Sequence, residues 1–422
     1  MSEFVKFTPG EYYDWEQPYV QDRLDIAAGR KQPEMPKLPA GMNLFAGPKP
    51  FTEAEILEYN RKWNPYDPLY NDPNYARKHG FPSVPAMPGF AQPRGGMMMG
   101  FPKNIADKFY YTHDGGSFEI RDRIFAGDLL TPGKTTIDFR DITVPGSRVR
   151  AWYMGGTGES LRDGKVILTG GMSTRDCYSK FSDNTPTPSF SENMSEWYDY
   201  FPAAHYTTDE EWAYIRELWQ KEEIRGAEPL YWEDVAVGYE APKTCTGPIT
   251  YMNMIYWYGG SALSRKQLMD PGNLETMYRD HYGNYLFETS IHLGNRNHPK
   301  GRMVWYNDTG AKTIYRTITN FIGDHGRVSK FSWRFFPFFR ELQGPTDAAE
   351  MFNKVPGMEG RDCERHGSEG DTCIGRAVVT DKYVNDRGEH CIEIALWAET
   401  LDGEIVQACA SEAVLPSRGE PL

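Results

Sequence analysis

The sequence predicts an α+β fold in which one unit, a helix against a curved antiparallel sheet, occurs twice. Three observations carry this. Each half runs from a helical pattern, through a Gly-Asp marker, into a series of strand-like segments. The marker recurs, as Gly127-Asp128-Leu-Leu-Thr-Pro-Gly133 and as Gly370-Asp371-Thr-Cys-Ile-Gly375. Turn signals separate the strand-like segments, and Asn385-Asp386-Arg387-Gly388 and Asp402-Gly403 read as hairpins.

At 422 residues the chain has room for two or three domains, each with its own core. A net charge of −13 and the lack of any Lys/Arg-dense stripe speak against nucleic acid as a partner. No apolar run has the length to cross a bilayer. The N-terminus shows neither a basic n-region nor an apolar h-region, so the chain reads as cytosolic. The 6 cysteines include no CxxC pair, the pattern of reduced thiols. Aromatic residues make up 14%, which favours aromatic-lined pockets or subunit contacts.

Residues 1–50, rich in Pro, Gly and charge, read as an extended arm. Residues 59–90 begin at the end of a helix, break at Asn64-Pro65 and Asp67-Pro68, and resume near Asn74. They close at Pro88-Gly89, ahead of the apolar run Met97-Met98-Met99. Pro-broken loops that lead to an apolar segment suit a pocket wall. Strands are predicted over 118–125, 134–142, 148–154 and 166–169. Gly155-Gly-Thr-Gly158 lacks the GK[ST] of a phosphate loop and reads as a hairpin tip, and His113-Asp114-Gly-Gly116 as a turn. Residues 208–225 place Trp212, Ile215, Leu218 and Trp219 on one helical face. In the second half, 232–238 reads as a strand and 251–264 as an aromatic helix. Further strands are predicted over 313–322, 328–336, 376–384, 390–400 and 404–415. The division that results is an arm (1–50), a first unit (51–175), a helical linker (176–230) and a second unit (231–422). The second unit carries an insertion at about 340–369 of the kind that forms lids or subunit contacts.

These motifs resemble the MaoC-like dehydratase and (R)-specific enoyl-CoA hydratase family in its double-hotdog form. The likeness lies in Tyr75-Ala-Arg-Lys-His-Gly80 running into Pro85-Ala-Met-Pro-Gly-Phe90, and in Phe125-Ala-Gly-Asp128. It continues in Trp232-Glu-Asp-Val-Ala-Val-Gly238, Asn320-Phe-Ile-Gly-Asp-His-Gly326, Gly370-Asp371 and the closing Ala410-Ser-Glu-Ala-Val-Leu-Pro416. In element order it covers most of residues 50–416. The resemblance implies a double hotdog, two units each with a central helix wrapped by an antiparallel sheet, and an acyl-thioester tunnel between them. It also implies addition or removal of water by an Asp and a His in a G-D-x-N-P-[IL]-H pattern. A backbone N–H at the start of the central helix would hold the thioester oxygen. Here the pattern departs: Pro65 and Tyr70 stand at the Asp and His positions, while Asp67-Pro68-Leu69 keeps the middle. In the second half Gly260 and Arg265 stand there instead.

The candidate catalytic residues are therefore Asp67 as base, Tyr70 as proton donor or thioester-orienting group, and His292 as a neutral general base. Gly89 offers the oxyanion N–H, with Met87 and Phe90 beside it as substrate-binding wall. The plainer readings are that Asp67 caps a helix, Gly89 sits in a turn, and the histidines at 281, 292 and 298 are satisfied core or surface groups. Neither Asp280, His281, His292 and His298 nor Cys363, His366 and Cys373 match a standard ligand spacing, so no metal is expected. No cofactor is expected beyond the CoA thioester itself. The leading function is a hydro-lyase acting on the 2,3-bond of an acyl-CoA thioester, with a bulky or aromatic acyl group. A hotdog acyl-CoA thioesterase and a non-catalytic acyl-thioester-binding subunit are the alternatives. A duplicated chain can stand alone or form a homo-oligomer.

Overall fold

The computed structural model describes residues 5–32, 49–91, 110–178, 205, 207–258, 278–279, 285–286, 305, 309–334 and 347–419. The first unit contributes β1 (Tyr110–Ile120), β2 (Thr131–Asp141), β3 (Arg150–Arg162) and β4 (Lys165–Tyr178). After these come β5 (Thr244–Thr246) and a separate short ladder of β6 (Tyr278–Arg279) and β7 (Tyr285–Leu286). The second unit's long strands are β8 (Arg327–Arg334), β9 (Cys373–Val384), β10 (His390–Glu399) and β11 (Ile405–Val414). One antiparallel sheet runs in the order β2-β3-β4-β1-β8-β11-β10-β9-β5. Read outwards from the β1·β8 seam, both halves have the same strand order, and the chain is a double hotdog.

The Gly-Asp markers show the duplication at the level of single hydrogen bonds. Gly127 donates to the Phe51 carbonyl (2.8 Å) and Phe51 to that of Asp128 (3.0 Å); Gly370 donates to Ile249 (2.8 Å) and Ile249 to Asp371 (2.9 Å). Each Asp turns its carboxylate back to an amide three residues earlier, Asp128 to Phe125 (2.8 Å) and Asp371 to Ser368 (2.7 Å). Each also pairs with an arginine, Arg162 or Arg365. Phe51 and Ile249 each precede a threonine that caps a helix, Thr52 or Thr250.

The helices are α1 (Gln17–Ala27), α2 (Glu53–Trp63), α3 (Pro68–Asn71), α4 (Pro73–Lys78), α5 (Asp209–Lys221), α6 (Tyr251–Tyr258), α7 (Thr309–Thr313), α8 (Tyr315–Ile322) and α9 (Asp347–Phe352). Every residue of α8 is buried. This segment corrects the strand expected over 313–322. Its alternation of Thr with Ile and Phe looks strand-like, yet Ile314, Ile318, Phe321 and Ile322 also fit one helical face. Burial on all sides leaves no polar stripe to decide between the two. Residues 92–109 of the first unit, including Met97–Met99, lie outside the described residues, as do 287–304.

Other expectations change as well. Gly155–Gly158 lies inside β3, and the turn is Asp163-Gly164, both at positive φ. Residues 232–238 hold a 3-10 turn, Trp232–Asp234, not a strand. His113–Gly116 is not a turn but part of β1, where a bulge brings Gly115 and Gly116 against Trp333 across the seam. A Cβ at either glycine would overlap β8, so close approach of the two units explains both residues.

The outer face of the sheet is covered twice. In the arm, α1 packs Tyr19 and Ile26 onto Phe139 and Trp152. There the buried Glu16 takes Arg150 (3.1 Å). In the presumed insertion, α9 and the turns after it pack Phe352, Val355 and Met358 onto Ala395 and Trp397. Both segments are thus part of the fold. No helix among the described residues is long and apolar enough to cross a membrane.

Candidate functional site

Helix α2 is started by a capping box of Thr52 and Glu55. Its inward face carries Ile56, Asn60 and Trp63, all buried. Asn60 lies among apolar neighbours, and its side chain is fully bonded: it donates to the carbonyls of Tyr70 (2.7 Å) and Pro85 (2.9 Å) and accepts from the Met87 amide (2.8 Å). One side chain therefore ties both walls of a pocket, the Pro-broken segment and the loop 85–90.

The Pro-broken segment reaches across to the second unit. Asn64 donates to the Asn320 side chain of α8 (2.9 Å), and Tyr75 donates to the Asp324 carboxylate (2.9 Å). Arg123, just past β1, donates to the carbonyls of Asp324 (2.6 Å) and Gly326 (2.5 Å). It thereby satisfies carbonyls beyond the end of α8.

A cavity of about 30 Å³ lies between these elements. Tyr70, Met87, Gly89 and Phe90 line it, together with Arg123 and Arg327. Four of the six candidate residues are thus brought together. Asp67 is buried and close behind Tyr70: it caps α3, its Oδ1 accepting from the Leu69 amide (2.9 Å). Burial pushes its carboxyl up to about 7; the Leu69 amide opposes this, Asp324 adds to it, and Arg123 opposes it. Burial also carries the Tyr70 phenol well above its ordinary range, which suits a hydrogen-bonding, orienting role better than proton donation. His292 lies outside the described residues.

Gly89 has φ +82°, and a Cβ there would stand 3.0 Å from the Tyr59 hydroxyl and 3.1 Å from that of Tyr315. Both the backbone and the close approach require glycine. Among the described residues no group of His, Cys, Asp and Glu could hold a metal ion. Cys363 belongs to the outer hydrophobic cluster and Cys373 to the central one.

Among solved structures, the chain is similar to one described as a MaoC-like dehydratase: 14% identity, TM-score 0.46, 88% of this chain and 97% of that one. It is also similar to a putative MaoC domain protein dehydratase from Chloroflexus aurantiacus: 12% identity, TM-score 0.44, 89% of this chain and 94% of that one. A third is RV0216 of Mycobacterium tuberculosis, described as a double hotdog: 11% identity, TM-score 0.44, 88% of this chain and 94% of that one. No family model and no curated protein matches the chain. At such identities the chemistry rests on this chain's own residues.

Sequence reasoning missed Asn60, Arg123 and Asp324. Asn60 had a readable signal, since a polar residue at the i+4 position between Ile56 and Trp63 falls on the apolar face. Asp324 lies in the Asn320–Gly326 motif, but its pairing with Arg123 had no signal, because 201 residues separate them and only the fold makes them neighbours.

Proposed function

We propose that the chain is a cytosolic hydro-lyase that adds water to, or removes it from, the 2,3-bond of an acyl-CoA thioester. The observation that carries this reading is Asp67: a buried carboxyl, raised to about 7, held by its cap on α3 behind Tyr70, which lines the cavity. A group poised there can take a proton from water, or return one, near neutral pH. The reacting water sits between Tyr70 and Gly89, and the acyl chain lies along Met87 and Phe90. Tyr70 orients the thioester, and the Gly89 amide takes charge that develops on its oxygen.

A panel of enoyl-CoA and 3-hydroxyacyl-CoA esters, followed by absorbance and mass, tests this. Absence of interconversion at every chain length refutes it, and release of free CoA thiol points to a thioesterase instead. The capping bond from Leu69 to Asp67 favours a second reading, a non-catalytic thioester binder in which Asp67 is structural. Binding without turnover, unchanged in Asp67→Asn, would support that reading.

A further inference from the structure

The duplication allows the pocket of the first unit to be compared with the same place in the second. Ala86 donates its amide to the Ile124 carbonyl (2.8 Å), and Trp305 donates its amide to the Gly367 carbonyl (2.7 Å). Ile124 lies four residues before Asp128, and Gly367 four before Asp371, the two Gly-Asp markers already matched bond for bond. Ala86 and Trp305 are therefore counterparts, as are Ile124 and Gly367.

Their sizes are exchanged. In the first unit a small residue on the loop faces a branched one, and both line the cavity. In the second a tryptophan on the loop faces a glycine. The Trp305 ring lies so close to Gly367 that a Cβ there would overlap it, and a Cβ at Gly310 of α7 would stand 3.2 Å from the ring. Trp305 is 8% exposed and part of the central core. Its indole nitrogen is buried with no hydrogen-bond partner among the described residues. Apolar fill explains that placement better than recognition does, because an indole N–H selected for binding normally finds an acceptor.

We propose that, among the described residues, the pocket of the first unit is open and Trp305 occupies the equivalent space in the second. Ala86 and Ile124 are the specificity-determining pair of the open pocket, and Trp305 with Gly367 is its closed form. This rests on the proposed function only for the identity of the ligand, an acyl thioester.

The experiment transplants each pair. Ala86→Trp with Ile124→Gly gives the first unit the closed pair. Butyryl-CoA and longer thioesters are titrated calorimetrically onto the full chain, with turnover measured separately. The wild type should bind one thioester per chain, and the double variant should fold but lose binding by 100-fold or more. The reciprocal variant, Trp305→Ala with Gly367→Ile, guards against misfolding of the first. It should keep the original site, and the opened space should raise the stoichiometry towards two. Two thioesters per wild-type chain, unimpaired binding by Ala86→Trp/Ile124→Gly, or loss of the original site in the reciprocal variant would each overturn the inference. Binding without turnover in the wild type would overturn the hydro-lyase reading and leave this inference intact. A wild type that binds no thioester overturns both.

Discussion

The Asn60 side chain donates to the Tyr70 carbonyl at 2.7 Å, and the same amide group reaches Pro85 at 2.9 Å. Two segments that the sequence separates by a helix and several turns are held at a fixed spacing by one buried residue. Asn60→Ala would leave two buried carbonyls and the Met87 amide without partners. The expected cost is about 2–4 kcal/mol, read from chemical denaturation, with turnover falling further than stability alone explains.

Asp67→Asn keeps an oxygen for the Leu69 amide, so α3 remains capped. It should lower kcat by about 100-fold or more if the carboxyl moves the proton. The rising limb of kcat/KM near pH 7 should vanish with it.

The same carboxyl predicts a dependence of stability on pH. Its folded value is above its unfolded one, so the folded state holds the proton more tightly and stability falls as pH rises. The loss begins near the unfolded value of 3.8 and is complete above about 7. Its size is at most about 4 kcal/mol. Denaturation midpoints of wild type and Asp67→Asn, compared between pH 4 and 8, should diverge in favour of the variant as pH rises.

Gly89→Ala places a methyl group against two tyrosine hydroxyls at a backbone angle that L-residues avoid. A loss of about 1–2 kcal/mol is expected from the backbone alone. Activity should fall more sharply, because Gly89 lines the cavity. Thermal melts and steady-state assays together separate the two effects.

The matched markers differ in depth. Asp371 is buried and takes Arg365 through both oxygens, at 2.7 and 3.3 Å. Asp371→Ala leaves the buried Arg365 with Glu404 as its only carboxylate and the buried Ser368 amide without its acceptor, and should cost about 3 kcal/mol. Asp128→Ala should cost less, since Asp128 is more exposed and Arg162 keeps its bond to Asp122. Denaturant titration of both variants checks the order.

Much of this was legible in the chain itself. The hairpins at residues 385–388 and 402–403 announce their turns through residues that tolerate positive φ, and the paired Gly-Asp markers announce the duplication. Tyr70, Met87, Gly89 and Phe90 were readable as one wall because they are close in sequence and punctuated by Pro and Gly. Helix α8 was not legible, since a helix buried on every side loses the polar stripe that distinguishes a period of 3.6 from one of 2.

By itself, then, the sequence determined the repeated unit, its turns and the segment that forms the pocket wall, because those depend on local backbone preference and spacing. Only the tertiary structure decided the burial of Asp67 and its setting with Asp324 and Arg123. It alone also decided that Trp305 stands where Ala86 stands in the other unit. Desolvation and size complementarity depend on which distant residues are brought against a group, and no local pattern encodes that.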